Sequence, residues 1–166
     1  MNTASHEINE RTNLAASNKF ELLLFRLGEA PGTDHRELFG INVFKVREIL
    51  VMPTITAVAN AHHCVMGIAN IRGQIITVIN LPKVVGCIPK KGTPILLVTE
   101  YASSTQAFAV EEVNEIVQLE RNQVIAAEGN GGDLVTSIAR LDRTTDSPLA
   151  QVLDIEQIYN RLRQAI

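Results

Sequence analysis

Two strongly apolar segments, Gly67 to Ile71 and Gln74 to Leu81, meet at Arg72-Gly73, and no other stretch constrains the fold of this chain as much. Ile75, Ile76, Val78, Ile79 and Leu81 supply the β-branched and aliphatic side chains of a strand buried on both faces. A charged residue followed by glycine, between two such strands, is a tight turn that lifts one guanidinium out of an apolar sheet. Arginine held on a rigid turn suits docking to a partner protein better than it suits chemistry, because its planar fork gives a contact direction. The junction predicts a β-rich interaction module.

Similar segments recur along the chain. Phe20 to Leu27 is a strand with apolar residues on both faces, and Leu38 to Asn42 returns as its hairpin partner across the solvated loop Gly28 to Glu37. Ile55 to Ala59 reads as a short strand and Ile95 to Val98 as a buried one. Gln106 to Val110 and Val113 to Leu119 are strands around the acidic pair Glu111-Glu112. Leu134 to Leu141 and Leu149 to Leu153 are the last strands. Asn122 to Glu128 fits neither period, and the glycine-rich Gly129 to Gly132 is a flexible loop.

Helical signals are fewer. Val43, Val46, Ile49 and Leu50 recur at helical spacing with Lys45, Arg47 and Glu48 between them, which predicts one or two helical turns closed by Met52-Pro53. Ala61 to Met66 is expected to form a turn of helix, and Leu81 to Val85 another, ended by Gly86. Asp154 to Gln164 is the clearest helix: Asp154 caps it, Gln157 stands three residues on, and Ile155, Ile158, Tyr159 and Leu162 share one face. Many short strands with few helices predict an all-β, barrel-type fold over residues 19–166. The polar residues 1–18 form a flexible or weakly helical arm.

Composition removes several function classes. Net charge is −3 and aromatics are 4%, so neither an electrostatic footprint nor a stacking platform for nucleic acid is present. The polar N-terminus has no secretion-signal core and the apolar runs are too short to span a bilayer, so a cytoplasmic protein without direct membrane insertion is expected. No nucleophile motif or phosphate-binding loop is present. Glu111, Glu112 and Glu115 read as a solvated strand edge that resists aggregation rather than as catalytic carboxylates. His62, His63 and Cys64 are adjacent, but consecutive residues do not share a face on a helix or strand and no second ligand cluster follows. Two surface histidines beside a small buried thiol is the simpler reading, so no metal and no cofactor is expected. Glu48 and Arg72 each sit where an apolar element meets a turn. They are either independent surface charges or a pair that fixes the direction of the arginine.

These same residues resemble a known family. Phe39 to Ile49, Gly67 to Gly73 and Val78 to Leu81 are similar to the chemotaxis coupling family, the CheW-like domains. Ala109 to Val117 and Ala150 to Ile158 resemble its later segments, so the match runs in order from about Phe20 to the end. Ile8 to Leu14, with Leu22 to Leu27, resembles the CheV branch and its N-terminal coupling domain more than plain CheW. Thr77, Asn80 and Ala107 depart from a usual proline, aspartate and glycine.

The resemblance implies two intertwined five-stranded β-barrels sharing a core, with short helices and a C-terminal helix. It also implies a non-catalytic adaptor that links the cytoplasmic tips of methyl-accepting chemoreceptors to the histidine kinase CheA, in receptor arrays at the inner face of the membrane. By position, Val46, Glu48, Gly67, Arg72 and Gly73 match the motif. Glu48 and Arg72 correspond to a salt bridge that shapes a docking surface. Val46 and Arg72 fall near the receptor side, and Met66 with Gly67 near the kinase side. Ile49 adds apolar contact, and Val110 completes the expected binding residues. CheV members carry a receiver domain after the coupling domain, so the resemblance leaves two expectations: a single-domain adaptor or, the favoured one, the coupling half of a longer protein. A different class of function, a small-molecule sensor, would use the cleft between the two barrels.

Overall fold

The computed structural model describes residues 19–127, 134–142 and 147–164. Its strands are β1 (Lys19–Glu29), β2 (Arg36–Asn42), β3 (Val46–Val51), β4 (Val65–Ile71), β5 (Gln74–Asn80), β6 (Ile95–Tyr101), β7 (Ser104–Val110), β8 (Glu112–Glu120), β9 (Val124–Ala126), β10 (Val135–Arg140) and β11 (Leu149–Leu153). Two helices accompany them, α1 (Leu81–Val85) and α2 (Ile155–Gln164). The strands form a six-stranded sheet, ordered β8-β1-β2-β11-β10-β9, and a five-stranded sheet, ordered β3-β6-β7-β5-β4. The mainly β expectation holds. The first sheet has six strands rather than five because the ambiguous segment after Asn122 supplies the three-residue β9.

The chain path interlocks the sheets. β1 and β2 begin the six-stranded sheet, β3 to β7 then build the whole five-stranded sheet, and β8 to β11 return to complete the first. The return is closed by β11 lying parallel to β2, and the inner sheet by β5 lying parallel to β7.

Strands that are apolar at successive positions supply three packed layers. On β1, Leu22 and Leu24 pack with Leu119, Ala139 and Ala150 inside the six-stranded sheet. Their neighbours Leu23, Phe25 and Leu27 face the other way, into a core shared with Leu97, Phe108 and Ile79 of the five-stranded sheet. β6 repeats the device: Leu96 and Val98 fill the interior of the five-stranded sheet while Leu97 joins the shared core. Each wholly buried leucine contributes roughly 1.5–3 kcal/mol of transfer free energy, so this double use of one strand is a large part of the stability. α2 lays Ile155, Ile158 and Leu162 into the same core, and Asp154 Oδ1 accepts the Gln157 N–H at 3.2 Å. Asn80 does for α1 what the usual aspartate would, accepting the Lys83 N–H at 3.2 Å, and Gly86 ends the helix at φ 93°.

Three local expectations are overturned. Only Val43–Lys45 forms a 3₁₀ turn, and the rest of the stretch expected to be helical is the edge strand β3. Ala61 to Met66 is a turn leading into β4 rather than a helix. Ile55 to Ala59 forms a single bridge, Thr56 to Ile68, rather than a strand. The arm 1–18 and the loop Gly129 to Gly132 lie outside the described residues.

Candidate functional site

β4 and β5 are joined by a two-residue loop, with Ile71 opposite Gln74. Arg72 at φ 52° and Gly73 at φ 82° both adopt the left-handed region that such a hairpin turn demands. Asn70 Oδ1 accepts the Gly73 N–H at 2.9 Å and braces the turn. Arg72 is thus carried on a loop with little freedom of its own.

Its partner comes from the far side of the sheet. β3 and β4 are the two opposite edges of the five-stranded order, yet Arg72 Nε donates to both carboxylate oxygens of Glu48 on β3, at 3.0 and 3.1 Å. Arg72 Nη2 donates to Glu48 Oε1 as well. Contact between opposite edges requires the sheet to curl into a barrel, and the pair sits across its open end. Arg47 Nη1 to Gln74 Oε1, at 3.1 Å, is a second tie across the same closure.

The two charges are unequally placed. Glu48's side chain is 16% exposed and Arg72's 71%. The Arg72 hydrogen bonds hold the Glu48 carboxyl below its ordinary range, against the opposing effect of desolvation, and Glu48 in turn raises Arg72. The glutamate acts as an anchor beneath a guanidinium that faces solvent.

Apolar surface surrounds this charge. Val51 is 79% exposed, Ile75 62% and Ile49 45%, and a shallow groove beside the pair is lined by Glu48, Leu50, Val51, Pro53, Asn70 and Arg72. Ile49 lies outward next to Arg47, so it supplies exposed rather than buried apolar contact. Val51 was not singled out in the sequence, and Ile75, expected in a strand buried on both faces, is instead exposed. Both sit in strongly apolar strands, and only the sheet order shows which strand positions lack a neighbour.

The other predicted residues separate into surface and support. Gly73 is exposed beside Arg72, while Val46 and Met66 are half-buried against the shared core and the five-stranded interior. Gly67 is buried at φ 148°, and a Cβ there would meet Thr56 O at 2.1 Å. Its role is to admit residues 55–56 against the β4 edge, where Thr56 and Ile68 exchange two backbone hydrogen bonds of 2.9 and 2.8 Å. Val110 is corrected: its side chain is 0% exposed in the shared core, so it cannot touch a partner.

Two further readings change. Glu111 is not a solvated edge residue. It is buried and accepts from Arg36 Nη2, which also donates to Glu112 Oε2 at 2.7 Å. The partners stand 75 residues apart, which no local pattern reveals. The cleft that a sensor would need is filled by Ile41, Leu97, Phe108, Leu153 and Ile158, with no polar group lining it. A ligand there would have to displace core side chains.

A barrel end closed by a Glu–Arg pair on the Gly-x-x-x-x-Arg-Gly hairpin agrees with what comparison finds: residues 21–163 match the CheW-like domain. The chain belongs to the CheW-like domain family. The relatives it matches are named as chemotaxis proteins, and a solved relative is named as a scaffolding protein. This CheW-like domain is 28% identical to the chemotaxis protein CheV3 of Helicobacter pylori over 88% of its own length and 49% of that protein. It is 26% identical to the chemotaxis protein CheW of Thermotoga maritima, covering 92% of this chain and 95% of that one. The crystal structure of the scaffolding protein TtCheW from Thermoanaerobacter tengcongensis superposes with a TM-score of 0.69 at 25% identity, over 82% of this chain and 89% of that one. The chain spans about half the length of the CheV relatives it matches. No helix among the described residues is long and apolar enough to cross a membrane.

Proposed function

We propose that this CheW-like domain is a chemotaxis adaptor that couples the cytoplasmic tips of methyl-accepting chemoreceptors to the histidine kinase CheA by binding both. In this reading it is the coupling half of a CheV-type protein and works in receptor arrays at the inner face of the membrane. The observation that carries the proposal is the oriented, solvent-facing Arg72 anchored by Glu48 and flanked by exposed Ile49, Val51 and Ile75. Aliphatic side chains around one directed charge match the anatomy of a hot spot: burial supplies affinity and the guanidinium supplies register. Val46, Glu48, Ile49, Arg72 and Gly73 form or shape the receptor side, and Met66 with Gly67 lies toward the kinase side. Scaffolding needs no chemistry, because holding two partners on one rigid body raises their effective concentration.

The test is co-sedimentation of the purified chain with receptor-containing membranes, with and without CheA, beside Arg72→Glu. Binding by wild type that is lost in a folded Arg72→Glu supports the role and locates the face. Unchanged binding by the folded variant refutes it.

A further inference from the structure

The turn that enters β4, away from the Arg72 hairpin, carries donor atoms that docking does not use. His62, His63 and Cys64 each present one ligand atom, and all three atoms lie within 4.8 Å of one another. Consecutive residues diverge on helices and strands, but this segment is neither. The Val65 N–H donates to His62 O at 2.8 Å and bends the chain into a turn, which gathers the three side chains. Asn80 N–H donates to Cys64 O at 2.7 Å and ties the same turn to the end of β5. His62 Nδ1 accepts the Cys64 N–H at 3.1 Å, so the lone pair of that ring already points back at the cysteine. The two imidazoles stack with centroids 4.3 Å apart. Cys64 is buried, His62 half-buried and His63 exposed, so the cluster runs from the core to the surface.

We propose that His62, His63 and Cys64 hold one zinc-class divalent ion, with water in the fourth position. Two imidazoles and a thiolate suit a borderline-soft transition ion and do not suit magnesium or calcium, which take oxygen donors. Zn–N near 2.0–2.1 Å and Zn–S near 2.3 Å place tetrahedral neighbours about 3.3–3.6 Å apart. The cluster therefore contracts by about 1 Å on loading, within reach of side-chain rotation on an exposed turn. The ion takes the His62 lone pair in place of the Cys64 N–H, and the Cys64 thiol releases its proton to solvent. Burial pushes the free thiol's pKa up, the nearby Lys83 acts against that, and without metal the thiol stays protonated and inert. Loading would fasten the start of β4, directly before Met66 and Gly67, to the shared core in which Cys64 sits.

The test titrates the untagged, metal-stripped, reduced chain with Co²⁺, whose thiolate charge-transfer band and tetrahedral visible bands report the ligand set. One equivalent of cobalt bound with both signatures, and displaced by Zn²⁺, supports the site. His63→Ala, at an exposed position, should weaken binding by about tenfold or more without touching the core. Cys64→Ser should remove the charge-transfer band, and Cys87→Ser and His35→Ala should leave it intact. Absence of the band in folded wild type overturns the proposal. So does a band that survives Cys64→Ser, or one that is indifferent to His63→Ala. The readout does not involve receptor or kinase, so its failure leaves the docking role untouched.

Discussion

Gly67 and Gly73 stand in the same hairpin, and the structure separates them sharply enough to predict two different outcomes for one substitution. A Cβ at Gly67 would lie 2.1 Å from Thr56 O, 2.8 Å from Thr56 C and 2.9 Å from Ile55 Cγ2, whereas one at Gly73 meets nothing within 4 Å. In Gly67→Ala the 55–56 segment must retreat by about 1 Å, which breaks both Thr56–Ile68 hydrogen bonds, each worth about 0.5–1.5 kcal/mol. Holding alanine at a positive φ adds about 1–2 kcal/mol. The total is about 2–5 kcal/mol, and at about 2–4 °C per kcal/mol for a domain of this size the melting temperature falls by about 4–20 °C. Gly73→Ala carries the backbone cost of about 1–2 kcal/mol alone and should fall by about 2–8 °C. Melts by circular dichroism, with urea midpoints at constant m-value, measure both. Equal losses for the two variants would refute the claim that Gly67 is required by the approach of Thr56.

Other expectations follow from the same geometry. Glu48's folded pKa lies below its ordinary 4.5, so the Arg72 pair is complete above that value and is lost as pH falls through the depressed folded value. An NMR titration following Arg72 Nε–H should show its midpoint below 4.5, and a midpoint at or above 4.5 contradicts the pairing. Leu97→Ala, at a site with 0% exposure between the sheets, should cost about 2–5 kcal/mol and leave one cooperative melting transition. Two resolved transitions would show that the sheets do not depend on the shared layer.

Much of the fold was legible because β-rich apolar runs and turn residues agree. The Arg72-Gly73 hairpin, β1, the α1 stop at Gly86 and the cap on α2 all rest on local rules, and all appear as expected. β3 was misread for two physical reasons. The 3₁₀ turn Val43–Lys45 runs directly into the strand, so Val43, Val46, Ile49 and Leu50 together imitate a helical face. The strand also inverts the usual polarity, with Glu48 turned toward the barrel end and Ile49 and Val51 turned out. Such inversion fits the proposed docking surface. Val110 and Glu111 were misplaced because burial on the shared core, and a partner as distant as Arg36, are properties of the sheet stacking and not of any window of sequence.

The path in which β3 to β7 are completed between the two parts of the other sheet sets an order of events during synthesis. The five-stranded lobe occupies residues 46–110 without interruption and has all its partners as soon as that stretch leaves the ribosome. β1 has no such option: its second neighbour is β8, with Lys19 opposite Glu120, and β2 waits for β11, with Leu38 opposite Ala150. The β1–β2 hairpin emerges before either of those strands and therefore presents leucine- and phenylalanine-rich edges until β11 has been made. Closing such distant pairs is slow, because the entropy of the intervening loop is lost before any contact forms. For the nascent chain the period of greatest exposure to aggregation and to chaperone capture is consequently centred on Leu22 to Leu27.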